Sequence, residues 1–289
     1  MICNLCPRMC GAERTKDRGQ GFCQIPSLPV VARAGLHHWE EPSLSGTRGS
    51  GAVFFSGCVL KCCFCQNSRI SQENFGRTIS VERLREIFLE LIQQGAHNIN
   101  LVSPTPYALA IRQALEEPLP VPVVWNTGGY ERVETLRSLE GKVQIWLPDL
   151  KYADSAMARD YSDAPDYFEV TTRAIQEMYR QVGDYEMEDG LLKKGVVIRH
   201  LLLPGGLQNT KMVMDWVADT FRPGQVLFSL MAQYTPQPWA QGLLRRRVTG
   251  PEYRSALTYM ENLGILDGYS QDAASAKQEY TPVFDLTGV

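Results

Sequence analysis

Ser56-Gly57-Cys58-Val59-Leu60-Lys61-Cys62-Cys63-Phe64-Cys65-Gln66-Asn67 is the stretch that decides how this chain is read. Within it Cys58, Cys62 and Cys65 are spaced C-x3-C-x2-C. Three thiolates on one short loop can bind three irons of a cubane cluster, whereas a 4Fe–4S cluster normally takes four cysteines. A loop that offers three leaves one iron open to a small molecule, which points to cluster chemistry rather than simple electron storage. Structural zinc commonly asks for two C-x2-C pairs, and this loop lacks that pattern. Buried structural cysteines rarely come four within eight residues, as they do here. Cys63 breaks the spacing and reads as a packed or spectator thiol.

C-x3-C-x-aromatic-C directly after a first strand resembles the signature of the radical S-adenosylmethionine (SAM) superfamily. The flanking Gly57 and Gln66-Asn67 are similar to the branch of pyruvate formate-lyase activating enzymes. Further segments resemble a subgroup of that branch. They are Cys3-x2-Cys6-Pro7-Arg8-x-Cys10-Gly11, Ile145 to Tyr152, Ile198 to Gly205 and the final Phe284-Asp-Leu-Thr-Gly-Val.

The chain has 289 residues, enough for one large core with small appendages. A hydrophobic content of 44% and a charged content of 21% are ordinary for a soluble globular protein. The formal net charge of −3 gives no general attraction to nucleic acid or to an anionic membrane. No apolar run approaches membrane-spanning length, and Met1-Ile2-Cys3 opens without a signal-peptide pattern. Eight cysteines, most at metal spacing, suit a reducing cytoplasm rather than a disulfide scaffold.

Outward from the cysteine loop, strand and helix patterns alternate. Strand-like runs fall at 51–56, 98–102, 121–125, 143–147, 196–203 and 226–230. Helical stripes fall at 81–92, 107–115, 132–139, 166–181, 212–221 and 252–262, the first behind Ser80 as N-cap and before Gly95 as stop. Six alternations argue for an α/β fold with a parallel sheet and helices outside it. Six units cannot close an eight-stranded barrel, so the expectation is an open, TIM-like (β/α)6 partial barrel, the architecture the resemblance also implies. The chain then divides into a Cys-rich cap (1–49), the barrel (50–263) and a C-terminal tail (264–289). Asp184 to Lys194 reads as a hairpin or exposed loop. Loops at the C-terminal ends of the strands should carry the chemistry.

The resemblance implies that SAM chelates the open iron, that one electron cleaves it to a 5′-deoxyadenosyl radical, and that this radical abstracts hydrogen from a substrate. It implies a reductant such as flavodoxin or ferredoxin, and places Phe64 beside the adenine. Where the family commonly has a Gly-Gly-Glu turn for the methionyl amino group, this chain has Val102-Ser103-Pro104-Thr105-Pro106-Tyr107, leaving the Ser103 carbonyl or the Thr105 hydroxyl for that contact. Asn126, in an Asn-Thr-Gly-Gly loop, matches a ribose-side position, and ordinary turn chemistry also explains it. Asp149 and Lys151 resemble the Asp-x-Lys pair that contacts ribose or methionyl carboxylate. A lysine suits a carboxylate and an aspartate suits a diol. Arg199, inside an apolar strand, needs a partner: a SAM or substrate carboxylate, or a core acceptor. Gln233 stands where related activases often have an adenine-side histidine. His37, His38, Glu40 and Glu41 are substrate-side candidates or a polar hairpin.

Cys3, Cys6, Cys10 and Cys23, at C-x2-C-x3-C-x12-C, look like a second metal site, a zinc staple or a second 4Fe–4S cluster, which the spacing does not decide. The expected activity is that of an oxidoreductase-type radical SAM enzyme. It activates a glycyl-radical enzyme by taking hydrogen from its glycine, or acts alone on a small metabolite or peptide. An iron–sulfur electron carrier is the reading from another class, and a carrier needs neither the full barrel nor the Asp149-Lys151 loop.

Overall fold

The computed structural model describes residues 2–270 and 282–289. The chain enters its sheet on an edge strand, β1 (Val30–His37), passes through a short helix (Pro42–Ser45) and continues into β2 (Ser50–Phe55). After a two-residue strand β3 (Arg77–Thr78) follow β4 (Ile99–Val102), β5 (Val123–Thr127), β6 (Ile145–Pro148), a hairpin arm β7 (Glu186–Glu188), β8 (Leu191–Leu201), β9 (Leu227–Met231) and β10 (Gly268–Ser270). The sheet order is β10-β9-β8-β6-β5-β4-β2-β1-β3, with β7 paired to β8. From β2 to β9 every neighbouring pair is parallel. The ends of the order are not neighbours, so this α/β sheet is an open partial barrel.

The six parallel strands are the six the hydrophobic runs mark. β2, β4, β5 and β6 are buried at every position, as strands covered on both faces must be. Alternation then sorts their side chains. Trp125, Trp146, Ile198 and Phe228 join the main core under the helices, while Val124, Ile145, Leu147, Val197 and Leu227 form a second cluster on the opposite face. Leu44, from the short helix before β2, is fully buried in that second cluster and plugs the barrel's floor.

Helix formation follows local signals. The Ser80 side chain accepts from the Arg83 N–H, and the helix Val81–Gln93 buries Leu84, Ile87, Phe88 and Leu91 along one stripe. The last helix, Gly250–Asn262, starts on a capping box between Thr249 and Glu252. The expected hairpin is β7–β8: Glu188 pairs with Leu191 across Asp189 and Gly190, both at positive φ, as a two-residue type I′ turn requires. None of the helices among the described residues is long and apolar enough to cross a membrane.

Besides short pieces such as the helices Pro42–Ser45 and Ser68–Ser71 and the two-residue β3, three elements lie outside the alternation read from sequence. β1 comes from the segment placed before the barrel and pairs antiparallel with β2. Helix Ser155–Ser162 sits between β6 and helix Tyr167–Val182, capped by Asp154, whose carboxylate accepts from the Ala156 and Met157 N–H groups. β10 extends the far edge in parallel with β9. The chain's end docks on β1: Leu286 N–H donates to Ala32 O, Ala34 N–H donates to Thr287 O, and Phe284 packs edge-on against Phe54 at 5.7 Å. Gly288 has φ +75°, and a Cβ there would lie 2.3 Å from Ala34 O, so only glycine fits.

Leu44→Ala should cost roughly 2–5 kcal/mol, because it removes the plug and leaves a cavity between strands that cannot collapse together. Denaturant unfolding with unchanged far-ultraviolet circular dichroism in the folded state checks this; a loss below about 1 kcal/mol would mean that the floor is not closed by Leu44.

Candidate functional site

A cleft of about 270 Å³ opens at the C-terminal ends of the strands. Cys62, Phe64, Cys65, Gln66 and Asn67 line it from the loop after β2, Asn126 from β5, Asp149 and Lys151 from the loop after β6, and Arg199 and Leu201 from β8. Met231, Gln233, Tyr234 and Thr235 contribute after β9, and His37, Trp39, Glu40 and Pro282 from the β1 side and the tail.

Cys62 and Cys65 line one end of the cleft, and Cys58, outside its lining, is near enough to act electrostatically on both. Each sulfur accepts one hydrogen bond: Cys58 from the Leu60 N–H (3.4 Å), Cys62 from the Ser162 hydroxyl (3.0 Å) and Cys65 from the Ser71 hydroxyl (3.3 Å). Burial pushes the Cys62 thiol up to about 12, against the lowering effect of nearby Lys151, and raises Cys65 as well. Such thiols ionise when a metal replaces the proton. Three sulfur donors, each already met by a proton donor, suit the thiolates of an iron–sulfur cluster with one open iron. Among the described residues, no group of three or more His, Cys, Asp or Glu is arranged to hold a metal ion. Cys63 stands apart: its thiol is exposed, while its backbone is tied down by Tyr161 O and the Trp239 indole.

Beside the cysteines runs a buried charge network. Arg199 donates through Nε to Asp149 Oδ1 (2.9 Å), through Nη1 to Glu40 Oε2 (3.3 Å) and through Nη2 to Asn126 Oδ1 (2.6 Å). Lys151 Nζ donates to the other Asp149 oxygen. Glu40 Oε1 accepts from the amides of Asn100 (3.1 Å) and Asn126 (3.3 Å). Burial pushes the Asp149 carboxyl up, but Arg199 and Lys151 outweigh it and hold the group below the usual carboxylate range. Burial alone would lower Lys151, yet Asp149 raises it above the usual lysine value. At Glu40 burial wins over Arg199 and the pKa is raised. Glu40, one of the two readings left open for the His37–Glu41 string, is thus built into the site.

The loop after β6 is held from behind. The Tyr167 hydroxyl lies 2.8 Å from Gly128 O and 2.6 Å from Asp149 O, and accepts the Lys151 N–H. Asn209 accepts from the Ala153 and Asp154 N–H groups and donates to Lys151 O. His200 is fully buried, and burial lowers its pKa to about 4, so the ring is neutral. Nδ1–H must then donate to Leu150 O (2.6 Å), and Nε2 accepts the Thr210 hydroxyl (2.8 Å). The two glycines after Asn126 serve close approach. A Cβ on Gly128 would meet Leu60 at 2.9 Å, and one on Gly129, at φ +81°, would meet Asp149 O at 2.1 Å.

Phe64 is buried, edge-on to Tyr161 and Tyr234. Gln233 lines the cleft with its amide 4.0 Å from Met231 Sδ. Ser103 and Thr105 do not line the cleft. Ser103 adopts φ +59° and its N–H donates to Asn126 O. The Thr105 hydroxyl donates to Glu131 (2.6 Å), which draws it into the wall behind β5. Glu131, which sequence reading passed over, is a buried carboxylate that also accepts from Thr127 and the Trp125 indole. Burial raises its pKa. A Glu two residues past a Gly-Gly turn gives no motif that marks it.

Residues 52–205 match the family model of the Radical SAM superfamily. An uncharacterised protein of Methanocaldococcus jannaschii is 30% identical over 275 residues, which cover 91% of this chain and 75% of that protein. Among solved structures, HydG, a maturase of the FeFe-hydrogenase, superposes with a TM-score of 0.50 at 12% identity, over 73% of this chain and 49% of that one. SuiB of Streptococcus suis, bound to S-adenosylmethionine, gives a TM-score of 0.49 at 12% identity, over 77% and 50%. This chain therefore spans about half the length of both structures, and the likeness to HydG is one of fold.

Gly129→Ala tests the close approach directly. The added methyl must push the Asp149 carbonyl away from a backbone already at positive φ, so a loss of more than about 1 kcal/mol in unfolding free energy is expected. Gly141→Ala, also at positive φ but with open space around it, serves as the control that carries the conformational cost alone. Equal losses in the two variants would mean that the Asp149 contact exerts no force.

Proposed function

This chain belongs to the radical SAM superfamily, and from that premise we propose that it cleaves SAM at a cluster held by Cys58, Cys62 and Cys65 and takes hydrogen from a polypeptide, the backbone glycine of a glycyl-radical enzyme. The observation that carries the SAM end of the reading is Lys151. Its ammonium is buried, shares the Asp149 carboxylate with Arg199, and acts electrostatically on Cys62. A cationic donor held next to the cluster-binding loop suits the carboxylate of a ligand bound at an open iron. When bound, the cluster and SAM supply one electron and one scissile sulfur–carbon bond, giving methionine and a 5′-deoxyadenosyl radical that removes a hydrogen atom from the substrate.

The chain's own part is to hold, orient and exclude water. Lys151, with Arg199 behind it, offers N–H donors to the methionyl carboxylate. Asp149 and Asn126 accept from the ribose hydroxyls. Phe64 and Tyr234 form an apolar wall for adenine, with the Gln233 amide beside them. Glu40, facing Arg199 from the β1 side, keeps the guanidinium compensated, since an unpaired buried charge is costly. Neither Ser103 nor Thr105 lines the cleft, so neither takes the methionyl amino group; Val102, at the end of β4, is the cleft residue on that side.

Support for a polypeptide substrate comes from the cleft's size and rim. About 270 Å³ is just under the usual range for a ligand site, which leaves little room for a second small molecule beside SAM. The hydrogen donor then has to reach in from outside, and the rim carries Trp39, which is 56% exposed. A protruding glycine loop satisfies both conditions. The electron comes from a one-electron donor such as flavodoxin or ferredoxin.

The triple variant Cys58→Ala, Cys62→Ala, Cys65→Ala should lose SAM cleavage altogether, whereas Cys63→Ala should keep most of it. Anaerobic production of 5′-deoxyadenosine with dithionite reads both, and SAM cleavage by the triple variant would falsify the assignment. Lys151→Ala should weaken SAM binding about tenfold or more, on the order of 1.5–3 kcal/mol, for the lost charge-assisted contact. Unchanged affinity on reconstituted enzyme would place the carboxylate elsewhere. For the substrate, the active enzyme should raise a glycyl-radical doublet in electron paramagnetic resonance when incubated with a glycyl-radical enzyme from the same cell. SAM cleavage without that signal would return the substrate to a small metabolite or another peptide.

A further inference from the structure

The cap cysteines play no part in the cleft, and the structure brings them to one place. Cys3, Cys6, Cys10 and Cys23 all line one small apolar cavity of about 10 Å³, together with Phe22, Arg14 and Val59. Val59 follows Cys58 directly, so the cavity's wall is the cluster-binding loop itself. All four cysteines are free thiols. The Arg14 guanidinium is buried beside them and lies 3.6 Å from Cys3 Sγ.

Arg8 and Arg14 tie this segment to the barrel through Val59 O and Pro106 O, but regular secondary structure contributes almost nothing to its order. Between residues 2 and 29 there is no helix and no strand, only two isolated bridges, Ile2 with Glu13 and Arg14 with Gly19. Backbone positions next to the cysteines are nevertheless held in left-handed conformations: Met9 at φ +43° before Cys10, and Gln24 at φ +56° after Cys23. Non-glycine residues adopt such angles when surrounding constraints impose them. Gly21 is needed for approach, since a Cβ there would lie 2.8 Å from Cys10 Sγ. Converging thiols on a loop without elements of its own is how small metal-stapled units are built.

We propose that Cys3, Cys6, Cys10 and Cys23 ligate a second, fully coordinated 4Fe–4S cluster that fastens the cap against the SAM-cluster loop. Position favours iron–sulfur over zinc: the site abuts the Cys58–Cys65 loop through Val59, and Arg8 of the same cap donates to Val59 O at 2.8 Å, so a redox-active centre here would stand beside the one that consumes an electron. With four thiolates there is no open iron, so this centre accepts and passes single electrons from a reductant such as dithionite and binds no SAM.

The assignment does not depend on where SAM binds. The full-length triple variant Cys58→Ala, Cys62→Ala, Cys65→Ala, reconstituted anaerobically with iron and sulfide, should retain about four irons per chain. Its dithionite-reduced paramagnetic signal should not change on addition of SAM, because every iron is occupied. In parallel, the double variant Cys6→Ser, Cys23→Ser of the otherwise intact enzyme should lose about four irons and keep a SAM-sensitive signal. Zinc in place of iron in the triple variant, a signal that SAM alters, or an unchanged iron content in the double variant each overturns the proposal. Should the triple variant fail to fold, the iron content of the double variant decides alone.

Discussion

Arg199 is the constraint from which the site can be rebuilt. A guanidinium inside a barrel cannot shed its charge, so every donor it points inward must find an acceptor. Asp149, Asn126 and Glu40 supply them, and they come from three different elements. Asp149 lies past the end of β6, Asn126 is in β5, and Glu40 precedes β2 in the chain. Meeting the requirement of one side chain therefore fixes the relative height of two strand ends and pins the connection between β1 and β2 across the barrel's mouth. Lys151 bonds the other Asp149 oxygen, and Glu41, buried next to Glu40, acts on the same guanidinium, so two buried cations face three buried carboxyls. Desolvating such a group gives little net stability, and its value is in geometry: removing either cation leaves buried carboxylates uncompensated.

Close approach of loops follows from that geometry. Asp149 O and Gly128 O converge on one Tyr167 hydroxyl, and Lys151 N–H donates to the same oxygen. This brings the loop after β5 against the loop after β6 so tightly that positions 128 and 129 have no room for a side chain. Leu60, from the cysteine loop, fills the space over Gly128. The cysteine loop, the Asn126 loop and the Asp149-Lys151 loop thus form one packed layer, whose shape changes if any of the three is widened.

Much of this was legible in the chain itself, for physical reasons that also set the limits. The six parallel strands announce themselves because strands covered on both faces are uninterrupted apolar runs. Val30–His37 does not: Ala32, Arg33, Ala34 and Gly35 break the run, and its place is set by pairing with β2 and with the distant Phe284–Val289 segment. Helix Ser155–Ser162 was hidden by its length, although Asp154 carried the capping signal. In the site, Cys58, Cys62, Cys65, Asp149 and Lys151 are visible as spacings. Arg199 is visible as a charge in an apolar strand. Its partners are not, since Glu40 lies 159 residues away. Thr105 looked available because a hydroxyl in a strand-end loop usually is, and only the fold shows Glu131 accepting from it.

The division between shared and particular chemistry follows the same boundary. Cys58, Cys62, Cys65, Asn126, Asp149, Lys151 and Arg199 all fall within the stretch 52–205 that matches the superfamily. His37, Trp39, Glu40, Met231, Gln233, Tyr234 and Pro282 line the same cleft from outside it. An open barrel makes this possible. Six strands leave a gap that a closed barrel would fill with two more, and here the antiparallel β1, the tail that docks on it and the loop after β9 stand along that gap. Under the proposed reading, the groups that hold the methionyl and ribose ends of SAM sit on the strands common to the superfamily, the loop after β9 brings Gln233 and Tyr234 to the adenine, and the groups that meet the substrate sit on the β1 edge and the tail. Glu40 belongs to both sides. It reaches from the β1 side to compensate Arg199, so the segment that would select a substrate is also one that holds the SAM-binding charge network in place. Changes there cannot alter specificity without disturbing the network behind it, unless the carboxylate at position 40 is kept.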